Sequence, residues 1–306
     1  MKLLFLFILT VINLYSLDIV AHRGYNLYPE NSKESIKYAL KKGYDGVEID
    51  IQPLRNGLNF ALIHDAVLTR EVAYHSGVKN IASITKDEWL TLYKKQDGYK
   101  TEYKATILSE VLDVFENNAI SKKQFLNIEL KSPNIDPRRF YLKISPYLDK
   151  INIQVSSNYL FLLEKLRKLD SRIYLGYIFL PNSSNLKKEI DKKMNTTSSR
   201  YQFGTLKNLY NKYSSQAKDI YAEKVSEQYF KNLDSIEYKI GSNMGIHLDF
   251  DDVKKYNYQI RDALDMYDLK IYIYSIDKSV TIEDVKNYFY DNYLRLDGII
   301  TDEDKP

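Results

Sequence analysis

Short apolar, β-branched runs alternate with longer stretches of helical periodicity along most of the chain. Strands are predicted in the runs DIVAH (from Asp18), GVEIDI (from Gly46), FLNIELK (from Phe125), INIQVS (from Ile151), IYLGYIF (from Ile173), GIHLDF (from Gly245), KIYIYSI (from Lys270) and GIITD (from Gly298). Helical periods fill most of the intervals, at residues 32–42, 108–118, 158–169, 251–267 and 281–293. A parallel neighbour can be reached only through a long connection, so this order predicts an α/β fold, a (β/α)8 TIM barrel, with a doubly wound sheet as the alternative. A further run, FALIHD at Phe60 to Asp65, follows the second strand too closely for a crossover. It is therefore expected to form a β-hairpin extension about Asn56-Gly57. Strict two-residue pairing sets His64 opposite Ile49, on the wrong face, so a bulge or wider turn is expected, with Pro53 as its natural place.

The N-terminus departs from this pattern. Met1-Lys2, the apolar run Leu3 to Tyr15 and the small Ser16 read as a secretory signal peptide over residues 1–16. The run is shorter than the roughly 20 residues a membrane span needs. An exported chain is expected, periplasmic or secreted, with no stable membrane span after cleavage and one barrel domain over 17–306. Residues 181–239, rich in Asn, Ser, Lys and Tyr, follow the end of the fifth strand; a lid insertion over the barrel mouth is expected there. The 44% hydrophobic and 28% charged residues fit a globular chain. Forty-four basic against 41 acidic side chains leave only +3, too balanced for a dedicated nucleic-acid binder. The absence of cysteine excludes disulfides, thiol nucleophiles and thiolate metal sites, so a metal would sit on oxygen or imidazole. The 28 tyrosines spread evenly and read as composition bias.

Chemistry-bearing residues gather at the C-terminal ends of the predicted strands, where a barrel builds its active site. Glu48 and Asp50, two apart, share a strand face, and Glu129 ends another strand; three carboxylates without thiols favour a divalent metal of the hard class, Mg2+ or Ca2+. Of the four histidines, His22 and His64 frame this cluster and form the candidate acid–base pair. Arg23 and Lys131 are candidate substrate-binding clamps for an anion, Arg23 having a structural alternative in a pair with Glu30. Asn31 is read as the cap of the first helix, with Glu34 at the third position. His75 reads as a loop residue and His247 as a satisfied polar residue in or beside a strand.

Taken together and in order, AHRGYNLYPENS from Ala21, GVEIDIQPLRNGLNFALIHD from Gly46, NIELK from Asn127 and DGIITD from Asp297 resemble the glycerophosphodiester phosphodiesterase family over most of the chain. The resemblance implies a (β/α)8 barrel and metal-dependent hydrolysis of small-molecule glycerophosphodiesters to glycerol 3-phosphate and an alcohol. It further implies His22 as base and His64 as acid, with Glu48, Asp50 and Glu129 as metal ligands. Where the family carries Trp-Thr-Val-Asn on its seventh strand, this chain has Tyr274-Ser275-Ile276-Asp277; Tyr274 keeps an aromatic wall for the substrate. Two alternatives differ in what they require. A phospholipase of the sphingomyelinase D or phosphatidylinositol-cleaving type needs an apolar rim, and a non-catalytic headgroup-binding barrel would be expected to have lost some of these residues.

Overall fold

Period-two alternation in the runs above sorts side chains to two sides of a closed sheet, and that sorting builds the molecule. The computed structural model describes residues 17–68, 70–74, 79–179, 229, 233, 241, 243–274 and 280–304. The run 1–16 expected to be a signal peptide, His75, Ser275 to Asp277, and residues 181–239 apart from Tyr229 and Leu233 lie outside the described residues. Strands β1 (Asp18–Ala21) and β2 (Gly46–Pro53) are followed by β3 (Phe60–Leu62) and by β4 (Val72–Ala73), β5 (Tyr93–Gln96) and β6 (Tyr99–Lys104). Then come β7 (Phe125–Leu130), β8 (Asn152–Ser157), β9 (Tyr174–Ile178), β10 (Met244–Asp249), β11 (Lys270–Tyr274) and β12 (Gly298–Thr301). Strands β1, β2, β7, β8, β9, β10, β11 and β12 pair side by side in parallel, and β12 returns to β1, closing the barrel. These are the eight strands expected, and the doubly wound alternative is set aside.

Outward residues such as Val47, Ile49, Ile51, Leu126 and Ile128 join one apolar cluster with Ile36 and Leu40 of the helix Lys33–Lys42 and Val111 and Phe115 of the helix Leu108–Asn118. Inward residues fill the lower barrel with Val20, Phe125, Tyr174, Tyr272 and Ile300. The expected helix over 251–267 is two helices, Phe250–Lys255 and Asn257–Met266, because Tyr256 leaves helical geometry at φ −113°, ψ 28°. Tyr229 and Leu233 belong to the outer cluster: the Tyr229 ring stacks on Tyr177 at 4.4 Å and its hydroxyl donates to the Tyr177 carbonyl. These two residues of the expected lid thus pack against the barrel wall.

The β2–β3 hairpin forms, with Ile51 opposite Leu62 and Pro53 opposite Phe60. This is the strict register, and Pro53 causes no bulge. The turn is wider than two residues, a 3-10 segment Arg55–Gly57 with Asn56 at φ 70°. His64 escapes the wrong face because the strand stops at Leu62 and the chain turns away. Beyond it lies an element the sequence reading did not anticipate: β4, β5 and β6 form a separate antiparallel sheet. It covers a satellite core around the fully buried Trp89, whose indole N–H donates to the Thr106 carbonyl at 2.8 Å.

Candidate active site

Alternation along β2 carries Glu48 and Asp50 to the barrel interior, and parallel pairing sets Asp50 beside Glu129 of β7. Carboxylate oxygens of Glu48, Asp50 and Glu129 lie within 4.8 Å of one another, and Glu48 and Asp50 are buried. Like charges this close cannot all remain ionised without compensation. Burial, followed by repulsion from Asp50 and Glu129, raises the Glu48 carboxyl well above its ordinary range. Burial also raises Glu129, against the pull of Lys131. Asp50 goes the other way: burial alone would raise it, but Lys131 and Arg23 hold it well below the usual carboxylate range. Lys131 Nζ lies 2.6 Å from Glu129 and 3.3 Å from Asp50, and Arg23 Nε lies 3.0 Å from Asp50.

Arg23 adopts a left-handed backbone, φ 57°, followed by Gly24 at φ 87°. Gly24 has no room for a side chain, since a Cβ there would stand 2.8 Å from the Ser35 backbone carbon. The bend aims the Arg23 backbone N–H at Glu48, 3.0 Å away, while Nη1 donates to Glu30 at 2.7 Å. The clamp and the structural pair expected of Arg23 are therefore not exclusive, because one guanidinium faces both Asp50 and Glu30.

His22 follows β1 directly, its backbone N–H bonded to the Thr301 carbonyl at 3.0 Å. Its Nδ1 sits 2.9 Å from Asp302, and Nδ1 of His64 sits 2.8 Å from Asp65. Carboxylates only accept, so each Nδ1 carries the hydrogen and each Nε2 is the nitrogen left for chemistry. Both rings lie close enough to Asp50 to interact with its charge. Burial, Lys131 and Arg23 together press His64 down to about 4. Tyr274, at the end of β11, donates its hydroxyl to the Phe179 carbonyl at 2.7 Å, which fixes its ring.

Asn31 corrects the sequence reading. The helix is capped by Ser32 with Ser35 in a reciprocal box, not by Asn31 and Glu34. Asn31 is fully buried at φ 56°; its Nδ2 donates to Asp50 Oδ2 at 3.1 Å and its Oδ1 accepts from the Asp50 N–H at 2.9 Å. Asp65, Asp302, Glu30 and Asn31 thus all serve the site, and none was among the candidate site residues. Asp65 follows His64 directly, Asp302 ends the GIITD run, and Glu30 and Asn31 lie within PENS, so position beside a motif was the available signal. His247 lies inside β10, buried, with Nε2 3.4 Å from the Tyr174 hydroxyl, as expected of a satisfied strand residue.

The sequence model described as the Glycerophosphoryl diester phosphodiesterase family matches residues 22–303. The chain belongs to this family. A family relative, the glycerophosphodiester phosphodiesterase of Bacillus altitudinis, is 33% identical over 121 residues, 37% of this chain and 45% of that one. Another, from Caldanaerobacter subterraneus subsp. tengcongensis, is 28% identical over 53% of this chain and 66% of its own. The match therefore spans between about half and two thirds of these curated relatives. A phosphodiesterase from Oleispira antarctica, solved in complex with the product sn-glycerol-3-phosphate, superposes with a TM-score of 0.61 at 19% identity, covering 94% of this chain and 93% of the other. That likeness carries the fold.

Proposed function

We propose that this family member hydrolyses glycerophosphodiesters to glycerol 3-phosphate and an alcohol, as an exported enzyme using a divalent metal and two histidines. The observation that carries the reading is the placement of two carboxylate-anchored imidazoles around one three-carboxylate cluster at the barrel mouth. The cluster fits a hard cation: Glu48 Oε1 is buried with no hydrogen-bond partner, and every ligand atom is a carboxylate oxygen. Glu48, Asp50 and Glu129 would hold Ca2+ or Mg2+. Such an ion, when bound, neutralises charge on the phosphate oxygens.

The chain's own groups do the rest. Arg23 and Lys131 bring positive charge to the phosphate, and Tyr274 walls the mouth. His22 Nε2 takes the proton from the attacking hydroxyl as the new P–O bond forms. His64 Nε2 gives its proton to the leaving alkoxide as the old P–O bond breaks. With its pKa near 4, His64 is neutral in the resting site at pH 7, and the arriving phosphate anion is the charge that favours its protonation. The test is product release from glycerophosphocholine by the mature chain. Chelator should abolish turnover, and His22→Ala and His64→Ala should each lower kcat by about 10²- to 10⁴-fold. Unchanged turnover in both variants would overturn the acid–base assignment; binding without turnover in the wild type would favour a headgroup-binding protein.

A further inference from the structure

A dense group of buried charges stands behind His64, and its central member, Glu71, has no part in the ligand set or the acid–base pair. Glu71 is 1% exposed. Its Oε1 accepts from the backbone N–H of His64 at 2.8 Å, from that of Asp65 at 3.2 Å, and from Arg70 Nη2 at 3.1 Å. Its Oε2 faces Lys94 Nζ at 3.5 Å, and the Lys94 side chain is also fully buried, donating to the Leu62 carbonyl at 3.2 Å where β3 ends. Arg70 continues the network to Asp65, the anchor of the His64 ring, and to Glu30, which holds Arg23. On the other side the His64 carbonyl accepts from Gln52 Nε2 at 3.0 Å. His64, Asp65 and Glu71 lie near enough together to suggest a second cation site, but Arg70 and Lys94 already bring positive charge to it.

Removing a carboxylate and an ammonium from water is expensive, and apolar replacement of such a pair is often neutral or stabilising. Stability alone therefore does not account for it. What the pair does have is a geometric consequence: one carboxylate oxygen pins two consecutive N–H groups, those of the proposed acid and of its anchoring Asp65. We propose that Glu71, its charge balanced by Lys94, is a positioning residue for His64, so that the imidazole and its carboxylate partner enter the site as one fixed unit. Its effect on turnover rests on the reading of His64 as general acid; its effect on the ring's placement does not.

Two double variants separate the possibilities, since both remove the buried ammonium and differ only at the acceptor. Lys94→Met/Glu71→Gln keeps an oxygen for the two N–H groups, whereas Lys94→Met/Glu71→Leu removes it. Imidazole nitrogen NMR should show His64 resonances displaced in the Leu variant and near wild type in the Gln variant, with His247 unmoved in both as an internal control of folding. In parallel, kcat on glycerophosphocholine should fall at least about tenfold in the Leu variant, with KM little changed, and should be largely rescued by Gln. Unmoved His64 resonances in the Leu variant, or equal losses in both, would overturn the proposal. His64→Ala tests the underlying reading separately: loss confined to alkyl leaving groups, sparing a nitrophenyl leaving group that needs no acid, supports it. Equal loss on both leaving groups removes the acid role, while the NMR result still decides the positioning.

Discussion

At Asn31 a buried amide makes both its hydrogen bonds to one residue, donating to the Asp50 carboxylate and accepting from the Asp50 backbone. This leaves Asp50 one orientation, with Arg23 and Lys131 supplying the charge that keeps it ionised. Partners of this kind, one step removed from a metal, typically contribute 10- to 100-fold in affinity or activity. Asn31→Ala is accordingly expected to weaken Ca2+ or Mg2+ binding by about 10- to 100-fold, measured by calorimetric titration, with the fold retained by circular dichroism. An unchanged affinity would show that Asp50 keeps its orientation without the amide. The role was hidden in the sequence because Asn before a helix has a well-understood local use, as a cap, and Ser32 next to it competes for that use. Only the approach of β2, some twenty residues on, distinguishes the two.

Among the elements, the barrel strands show how the interior is divided. Gly245 on β10 is flanked by Tyr174 of β9 and by Lys270 of β11; a Cβ there would meet the Tyr174 hydroxyl at 2.1 Å and the Lys270 carbonyl at 2.4 Å. The glycine is the space that Tyr174 occupies, and large residues beside small ones fill the tapering lower barrel. Since one of the clashing atoms is backbone, Gly245→Ala should destabilise the protein by roughly 1–3 kcal/mol, read as a lower urea midpoint at unchanged m. The barrel strands were legible because β-branched runs of the right length repeat with helical intervals between them. The sheet β4, β5, β6 was not, although Asp97-Gly98, with φ of 51° and 86°, is a good hairpin turn. Its flanking strands, YKKQ and YKTEYK, hold no apolar residue besides tyrosine, so the period-two signal of alternating apolar and polar positions was absent. His64 illustrates a third case: the hairpin register came out as the strict one, and the side chain reached the site by the strand's ending early, which pairing rules alone do not foretell.

For the whole molecule, burying a histidine in the barrel core couples stability to pH. Burial presses His247 down to about 3, against about 6.5 in an unfolded chain. The folded protein therefore keeps the ring neutral while the unfolded chain takes up a proton below pH 6.5, so this group's penalty is absent above pH 6.5 and grows as pH falls toward 3. Between pH 7 and pH 5 it should remove about 2 kcal/mol. Urea unfolding of His247→Gln at the two pH values should show a loss smaller than the wild type's by about that amount; parallel losses would mean that His247 titrates normally in the fold. Taken by itself, the sequence determined the barrel and marked out strand ends with His22, His64, Glu48, Asp50, Glu129, Arg23 and Lys131 as candidates for chemistry. It could do so because period and local residue type are properties of neighbours along the chain. The tertiary structure decided what each of these groups faces: Asp50 held by Asn31, His22 by Asp302, and the His64 loop by Glu71 and the buried Lys94. Those contacts join residues brought together by barrel closure and by the inserted sheet, and charge, burial and hydrogen bonding act across space, where sequence spacing carries little information.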